Sequence, residues 1–409
     1  MSKLSTSLIA LMAVGLGGTA AWAEEAANFG DAIANGDASI ALRYRIENVD
    51  QDGIDKNATA STLRTLVSYK TEAYKGFSGF LQVENVSVVG DTTYNNTLNG
   101  KGQYPVIADP ASTELNQAYL SYKSDSGFSV TAGRVALNLG TQRFVGTVGW
   151  RQNDQTYDLM SMAYSKGDFT ATYGYIWQVN RIFSSKHALG KLDTNTHVIN
   201  LDYKLKDLGT FTGYALMIDL NDAPVYGLSS KTVGVRFAGK QKVSDGVNFL
   251  YQAEYANQKN YKDNPGDYSA DYAMLEAGLS SGGITGALGY EVLGSDNGVS
   301  FKTPLATLHK FNGWADKFLG TPAGGIEDMY AKFVYSAPKD GAMAGTKFMV
   351  IYHDFNSDVG GADYGSEIDW QISKPFGKRY SVALKGAHYN ASDFGTDTTK
   401  IWFTLGAKF

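Results

Sequence analysis

Along most of the chain, apolar and polar residues alternate one by one. "ALRYRIE" (41–47) sets Leu42, Tyr44 and Ile46 on one face of an extended strand and Arg43, Arg45 and Glu47 on the other. "TLRTLVSYK" opposes Thr65, Val67 and Tyr69 to Arg64, Ser68 and Lys70, and "VNFLYQAEYA" opposes Phe249, Tyr251, Ala253 and Tyr255 to Gln252 and Glu254. "SEIDWQISK" repeats the pattern with Ile368, Trp370 and Ile372 against Glu367, Asp369 and Gln371. About 18 such segments of roughly 8 to 12 residues run from Ser39 to Phe409, the length of a tilted membrane strand.

The separators obey a rule. Every second one is a tight polar turn: "YKG" at 74, "SDSG" at 124, "SKGD" at 165, "KDLG" at 206, "VSDG" at 243, "SSGG" at 280, "PKDG" at 338 and "PFGK" at 375. Gly, Asp, Pro and Ser supply the backbone conformations that hairpins need. The others are longer, at 49–61, 87–114, 136–154, 184–194, 221–229, 259–269, 295–326, 356–364 and 391–398. Short turns at one end and long loops at the other predict an all-β fold: a transmembrane antiparallel up-and-down β-barrel of about 18 strands, with long extracellular loops and short periplasmic turns. Closure removes the unpaired edges that an open sheet would expose. A soluble sandwich or propeller also alternates, but its outward face is the polar one and its turns have no reason to alternate in length.

Residues 1–23, "MSKLSTSLIALMAVGLGGTAAWA", have an early base, an apolar run from Leu8 to Leu16, and Ala21 and Ala23 ahead of "EE". This is the order of a secretory signal peptide, which leaves 24–409 as the barrel. Net charge is −5, and −6 without that segment, which has one base and no acid. Nucleic acid is therefore not an expected partner. Cys is absent, so an exported chain gains no disulfide and depends on a large hydrogen-bonded architecture. Tyr 26, Phe 20 and Trp 6 suit strands and membrane interfaces. The last segment, "KIWFTLGAKF", sets Ile401, Phe403, Leu405, Ala407 and Phe409 on one face and resembles the terminal signal that outer-membrane barrels present to their assembly machinery.

If the polar faces enclose a pore, their charges govern passage. The predicted lining bases are Arg43, Arg45, Arg64, Lys70 and Arg236, from the first ten strands; the acids are Glu254, Glu276, Glu291, Glu367 and Asp369 from later ones, with Glu47, Glu84 and Asp219 as exceptions on the basic side. The expected field runs across the pore. Arg134 and Arg181 fall on the outward phase near loop ends, where a bulge re-aims them or the headgroup layer holds them.

The glycine-rich "QRFVGTVGWRQ" offers Gln142, Arg143, Trp150, Arg151 and Gln152 as a constriction loop. Its arginines suit a sugar or carboxylate, or else pin the loop to wall acids. In "TPLATLHKFNGWADKFLG", Thr303 and Pro304 open, and Gly320 closes, a predicted amphipathic helix with Leu305, Leu308, Phe311, Trp314 and Phe318 on one stripe. That element packs at the barrel mouth or plugs it. Asp50, Asp52, Asp55 and Asn57 form an acidic turn whose Gly falls too early for an EF-hand. No metal or cofactor is expected.

"NVDQDGIDKNATASTLRT" (48–65), "LGTQRFVGTVGWRQNDQTYD" (139–158) and "TPLATLHKFNGWADKFLGTPAGGIEDMY" (303–330) resemble segments of the bacterial porins grouped as the alginate export family. The resemblance implies a monomeric 18-stranded barrel in the outer membrane, and passage of an anionic polyuronate through a strongly basic lumen. The chain departs there, since its inward acids at least equal its inward bases. The expected function is an outer-membrane channel for passive diffusion of small hydrophilic solutes, including anionic sugars or oligosaccharides, with lipid around it; a dedicated alginate exporter is the alternative. A barrel-embedded hydrolase would need a base, and His187, His197, His309, His353 and His388 stand in no nucleophile motif. A barrel with a filled interior would need bulky inward residues, whereas Thr285, Ala287 and Gly289 leave space.

Overall fold

The computed structural model describes residues 25–409; the expected signal peptide lies outside the described residues. A short helix, α1 (Phe29–Ala34), capped by Asn28, precedes the strands. These are β1 (Asp37–Gln51), β2 (Ala58–Lys70), β3 (Phe77–Val88), β4 (Ser112–Lys123), β5 (Phe128–Val135) and β6 (Thr156–Lys166). They continue as β7 (Phe169–Asn180), β8 (Lys191–Leu205), β9 (Gly209–Ile218), β10 (Ser230–Ser244), β11 (Val247–Asn260) and β12 (Ser269–Ser281). The set ends with β13 (Ile284–Leu293), β14 (Ile326–Ser336), β15 (Lys347–Asn356), β16 (Asp363–Phe376), β17 (Tyr380–Ala391) and β18 (Thr398–Lys408).

Each strand pairs antiparallel with its neighbours in sequence, and β1 also pairs with β18, so the 18-stranded sheet is closed. Phe409 completes the seam, its amide donating to the Ile40 carbonyl at 2.8 Å and its carbonyl accepting from the Ile40 amide at 3.0 Å. The eight predicted tight turns fall between paired strands, although the one after β14 is longer than a hairpin and spans 337–346. Nine long loops occupy the other end.

The outward face carries the apolar residues: Leu288 is 70% exposed, Leu275 61% and Leu120 60%. Val67, Ile368, Ile372, Ile401 and Leu405 share this face, as the alternation predicts. Nearer the loop end the same face turns polar, and neighbouring strands satisfy one another there: Asn48 donates to Thr59 at 2.7 Å, Asn85 to Thr113 at 2.7 Å and Tyr255 to Asp271 at 2.7 Å. The greasy band therefore ends below the strands do, and the upper barrel stands in water or headgroups. Arg134 belongs to this tier, where Asp158 on the next strand takes its guanidinium at 2.6 and 2.9 Å. No helix among the described residues is long and apolar enough to cross a membrane, which says nothing of strands.

Candidate functional site: a lumen filled from one side

The wall creates an electrostatic problem that the loops solve. Register places Arg43 directly opposite Arg64, and like charges facing one another across strands are destabilising. The loop 136–155 folds into the barrel and answers both. Arg43 donates to Gln152 Oε1 at 2.9 Å and to the Gly149 carbonyl at 2.8 Å, and also reaches the Arg151 carbonyl. Arg64 donates to Glu84 at 2.6 Å and to Asp154 of the same loop. Gln152 is fully buried, its side chain donating to Thr62 Oγ1 at 2.8 Å.

The loop's own arginines are wall pins rather than free groups. Arg151 donates to Glu47 at 2.9 Å and lies 3.5 Å from Asp109 and 3.6 Å from Asp316. Burial opposes its charge, but Glu47, Asp109 and Asp316 outweigh that and raise its pKa further. Arg143 donates to Glu291 at 2.9 Å and to Asn312 at 2.8 Å. Of the two roles open to these arginines, pinning is the one the geometry adopts. Gln142 serves by its backbone, turning at φ 71° and accepting from the Thr307 amide at 3.1 Å.

The long loop 294–325 enters beside it, but not as the predicted helix. Only a single 3-10 turn forms, Leu308–Lys310. The reason is competition for its backbone: the Trp314 amide donates to Asp369 at 3.1 Å and the Ala315 amide to Glu367 at 2.7 Å, bonds a continuous helix could not release. Gly313 lies against that carboxylate at φ 83°, where a Cβ would run into Glu367 Oε2; glycine alone fits. Most of the apolar stripe is still buried, with Leu305 at 0% and Trp314 and Phe318 at 7% exposure, while Leu308 and Phe311 are half-buried. The two loops join each other where the Gly146 amide donates to the Leu305 carbonyl at 2.9 Å.

Both loops meet the wall at an aromatic box. Trp150 stacks on His309 with centroids 3.3 Å apart, and Arg45 of the wall lies 5.5 Å from the Trp150 ring centre. The Lys385 ammonium sits 3.6 Å from the Trp314 ring centre and 5.2 Å from that of Trp402, and 2.5 Å from His309 Nε2. Cations over indole faces are attracted by the ring quadrupole. His309 Nδ1 is 2.7 Å from Asp316, whose other oxygen accepts from Lys400 at 2.8 Å. Burial, with Lys385 and Arg151 adding, drives the His309 pKa well below its usual value despite Asp316. Burial would raise Asp316, but the hydrogen bond with His309 Nδ1 and the charges of Lys400 and Arg151 hold it far below the ordinary carboxylate range, the neutral His309 acting as a donor and not as a cation.

The loops lie against β1–β4, β6 and β11–β18; toward β8–β11 they reach the upper wall, where Phe144 packs against Tyr214 and Gln258 is held by the Lys302 backbone at 2.7 and 2.8 Å, and below these Asn200, Arg236 and Gln252 stay half-buried. A small cleft there is lined by Phe144, Val145 and Leu216 as well as by Thr212, Tyr214, Arg236 and Glu254. Arg236 donates to Gln252 at 2.9 Å and lies 3.7 Å from Glu254, which accepts from Tyr214 at 2.7 Å. Glu276 is taken by Lys332 at 2.6 Å and Tyr330 at 2.8 Å. Lys70 stands exposed at the short-turn end. Gly289 does not leave open space as expected, since the Tyr330 ring lies over it.

These contacts weaken the field expected across the pore. Most inward charges are neutralised in place, and Lys332, Lys385 and Lys400 put cations among the late-strand acids. The lysines share the inward phase and were open to strand reading; Asp109, Asp154, His309 and Asp316 come from loops and carried no such signal. Asp50, Asp52, Asp55 and Asn57 form an exposed turn.

The sequence of residues 36–263 matches the model of the alginate export family, more than half of the chain. The chain belongs to that family. Its fold is also that of OccAB4 of Acinetobacter baumannii, 16% identical, with a TM-score of 0.72 over 91% of this chain and 98% of that one. OpdK of Pseudomonas aeruginosa, solved with vanillate, matches at 11% identity and a TM-score of 0.72 over 92% and 99% of the two chains. OccK5 (OpdH) of the same organism matches at 13% identity and 0.69 over 92% and 99%. At such identities the likeness shows the barrel fold. No curated protein matches the sequence.

Proposed function

We propose that this member of the alginate export family is an outer-membrane channel for passive diffusion of small hydrophilic solutes, and that they pass along the β8–β11 side of the lumen, where the loops make fewest bonds to the wall. The observation that carries the reading is the pairing of an apolar exterior band with a charged and polar interior, in which Asn200, Arg236 and Gln252 of β8–β11 stay half-buried below the pinned loops. Arg236, Glu254 and Tyr214 present both charges and a hydroxyl to that passage, which suits a sugar bearing hydroxyls and a carboxylate. Arg143, though bonded to Glu291, forms the facing side.

A polyuronate exporter is the second reading, favoured by the family. Inward Glu254, Glu276, Glu291, Glu367 and Asp369 work against the strongly basic lumen that role implies. No step of catalysis is proposed, and the buried histidines are engaged with Asp316 and Asp328. The barrel is read as monomeric, with the β18 strand ending on Phe409 as the segment read by the assembly machinery.

Liposome swelling tests the function. Proteoliposomes should swell in small neutral and anionic sugars at rates falling with solute size; rates equal to protein-free liposomes for every solute would remove the channel. Passage of oligouronates alone would select the exporter.

A further inference from the structure

The charged groups that the loops do not touch lie at the opposite end of the barrel. Lys70 ends β2, Lys204 lies near the end of β8, Lys240 near the end of β10, Lys347 begins β15 and Lys408 ends β18. Each lies at the short-turn end of its strand. Each is also on the inward phase, in step with a buried inward residue of the same strand: Arg64, Thr196, Thr232, His353 and Lys400. All five are exposed, and none has an ion-pair or side-chain hydrogen-bond partner among the described residues. Lys242, on the same phase, is taken by Asp245 at 2.5 Å.

Two acids share this inward phase, Asp37 and Asp202. Asp202 is occupied by Thr212 at 2.6 Å and Asn200 at 2.7 Å. Between the lysines the inward positions include short hydroxyls, Ser39, Ser280, Ser373 and Ser381, alongside larger residues such as Phe80 and Tyr119, which stack on each other. The loop end is the reverse, with exposed Asp50, Asp52, Asp55, Asp263, Asp267 and Asp397. The short turns also carry exposed Asp125, Asp168, Asp207, Asp245 and Asp340, and the loop end exposed Lys56, Lys186 and Lys259, so the asymmetry belongs to the inward-facing ring of lysines and not to each end as a whole.

Unpaired lysines on five strands around one ring repel one another, and an anion in the opening relieves that repulsion. A low-dielectric rim lined by one sign of charge also raises the local concentration of the opposite ion. No two of the five stand on strands that pair with each other, so the ring gathers small multivalent anions by field rather than gripping one by a bidentate bond.

We propose that the short-turn mouth is an anion-collecting vestibule, built by Lys70, Lys204, Lys240, Lys347 and Lys408, that concentrates small multivalent anions at that end of the channel and not at the loop end. This rests on the channel reading above. It makes the lumen electrically polar along the direction of transport.

The test uses the full barrel in a planar bilayer, with its orientation fixed by one-sided protease cleavage of a loop and with citrate as the probe. In 0.1 M KCl, half-block of the potassium chloride current should need about fivefold less citrate from the short-turn side than from the loop side, a focusing effect of modest size. In 1 M KCl, where the screening length falls to about 3 Å, the two sides should become equal. Replacing the five lysines by glutamine (Lys70→Gln, Lys204→Gln, Lys240→Gln, Lys347→Gln, Lys408→Gln) should remove the asymmetry in a barrel whose folding is verified by heat-shifted gel mobility. Equal potency from both sides in the unaltered protein overturns the proposal, as does an asymmetry that survives either high salt or the glutamine variant. Absence of any potassium chloride current would instead overturn the channel reading beneath it.

Discussion

The two arcs of the lumen are built from the same kind of strand and end in opposite states. On β1–β3 and β13–β18, inward charges are buried against loop atoms: Arg43, Glu47, Arg64, Glu291, Glu367 and Asp369 each bond to residues from 136–155 or 294–325. On β8–β11, Arg236 and Glu254 find partners only on neighbouring wall strands. The difference teaches that inward charge does not by itself make a pore lining. On one arc it is the socket for a plug; on the other it faces the remaining passage.

The comparison breaks most readily by removing the plug. Deleting 303–320 should raise single-channel conductance several-fold, because the segment fills lumen rather than capping its rim; unchanged conductance would mean the loop does not obstruct the current.

A smaller effect should follow from loosening one pin. Arg151→Ala leaves Glu47 and Asp109 buried, at 0% exposure each, without their cation, and removing one partner of a buried pair costs about 3–5 kcal/mol. The loop should partly release, giving a lower melting temperature in detergent and a noisier, larger current. A melting curve and current trace like the parent's would show that Arg151 does not hold the plug.

The smallest effect belongs to the β8–β11 side. Lys310, on the loop, donates to the Thr141 carbonyl at 2.8 Å. Its side chain is exposed yet partly desolvated among lumen atoms, and this, with Arg236 and Lys332 adding, pushes its pKa down to about 8. It is charged below that value and neutral above it, so raising pH from 7 to 9 should remove one positive charge beside Arg236. Preference for chloride over potassium, read from reversal potentials, should fall modestly over that interval. In Lys310→Met this change should vanish; if it persists, another group titrates there.

Much of the wall was legible in sequence because a strand's period of two is local: Leu42 and Arg43 part to opposite faces whatever lies elsewhere in the chain. Turn chemistry fixed the hairpin ends equally locally. The site was legible only in part. The inward residues were identifiable by phase, and Arg143 and Arg151 stood out by composition, but their partners are far away along the chain. The helix expected over 303–320 shows the limit. Its apolar spacing is real, yet Asp369 and Glu367, some fifty residues on, take the backbone amides and hold it in a run of tight turns.

The sequence by itself determined a closed cylinder with a greasy outside, a charged inside, short turns at one end and long loops at the other, because alternation and turn residues act over a few positions. Only the tertiary structure decided which inward charges are spent on holding loops and which remain beside open space. That choice depends on pairing residues such as Arg43 with Gln152 and Arg143 with Glu291, whose distances are set by the closed ring and by no pattern along the chain.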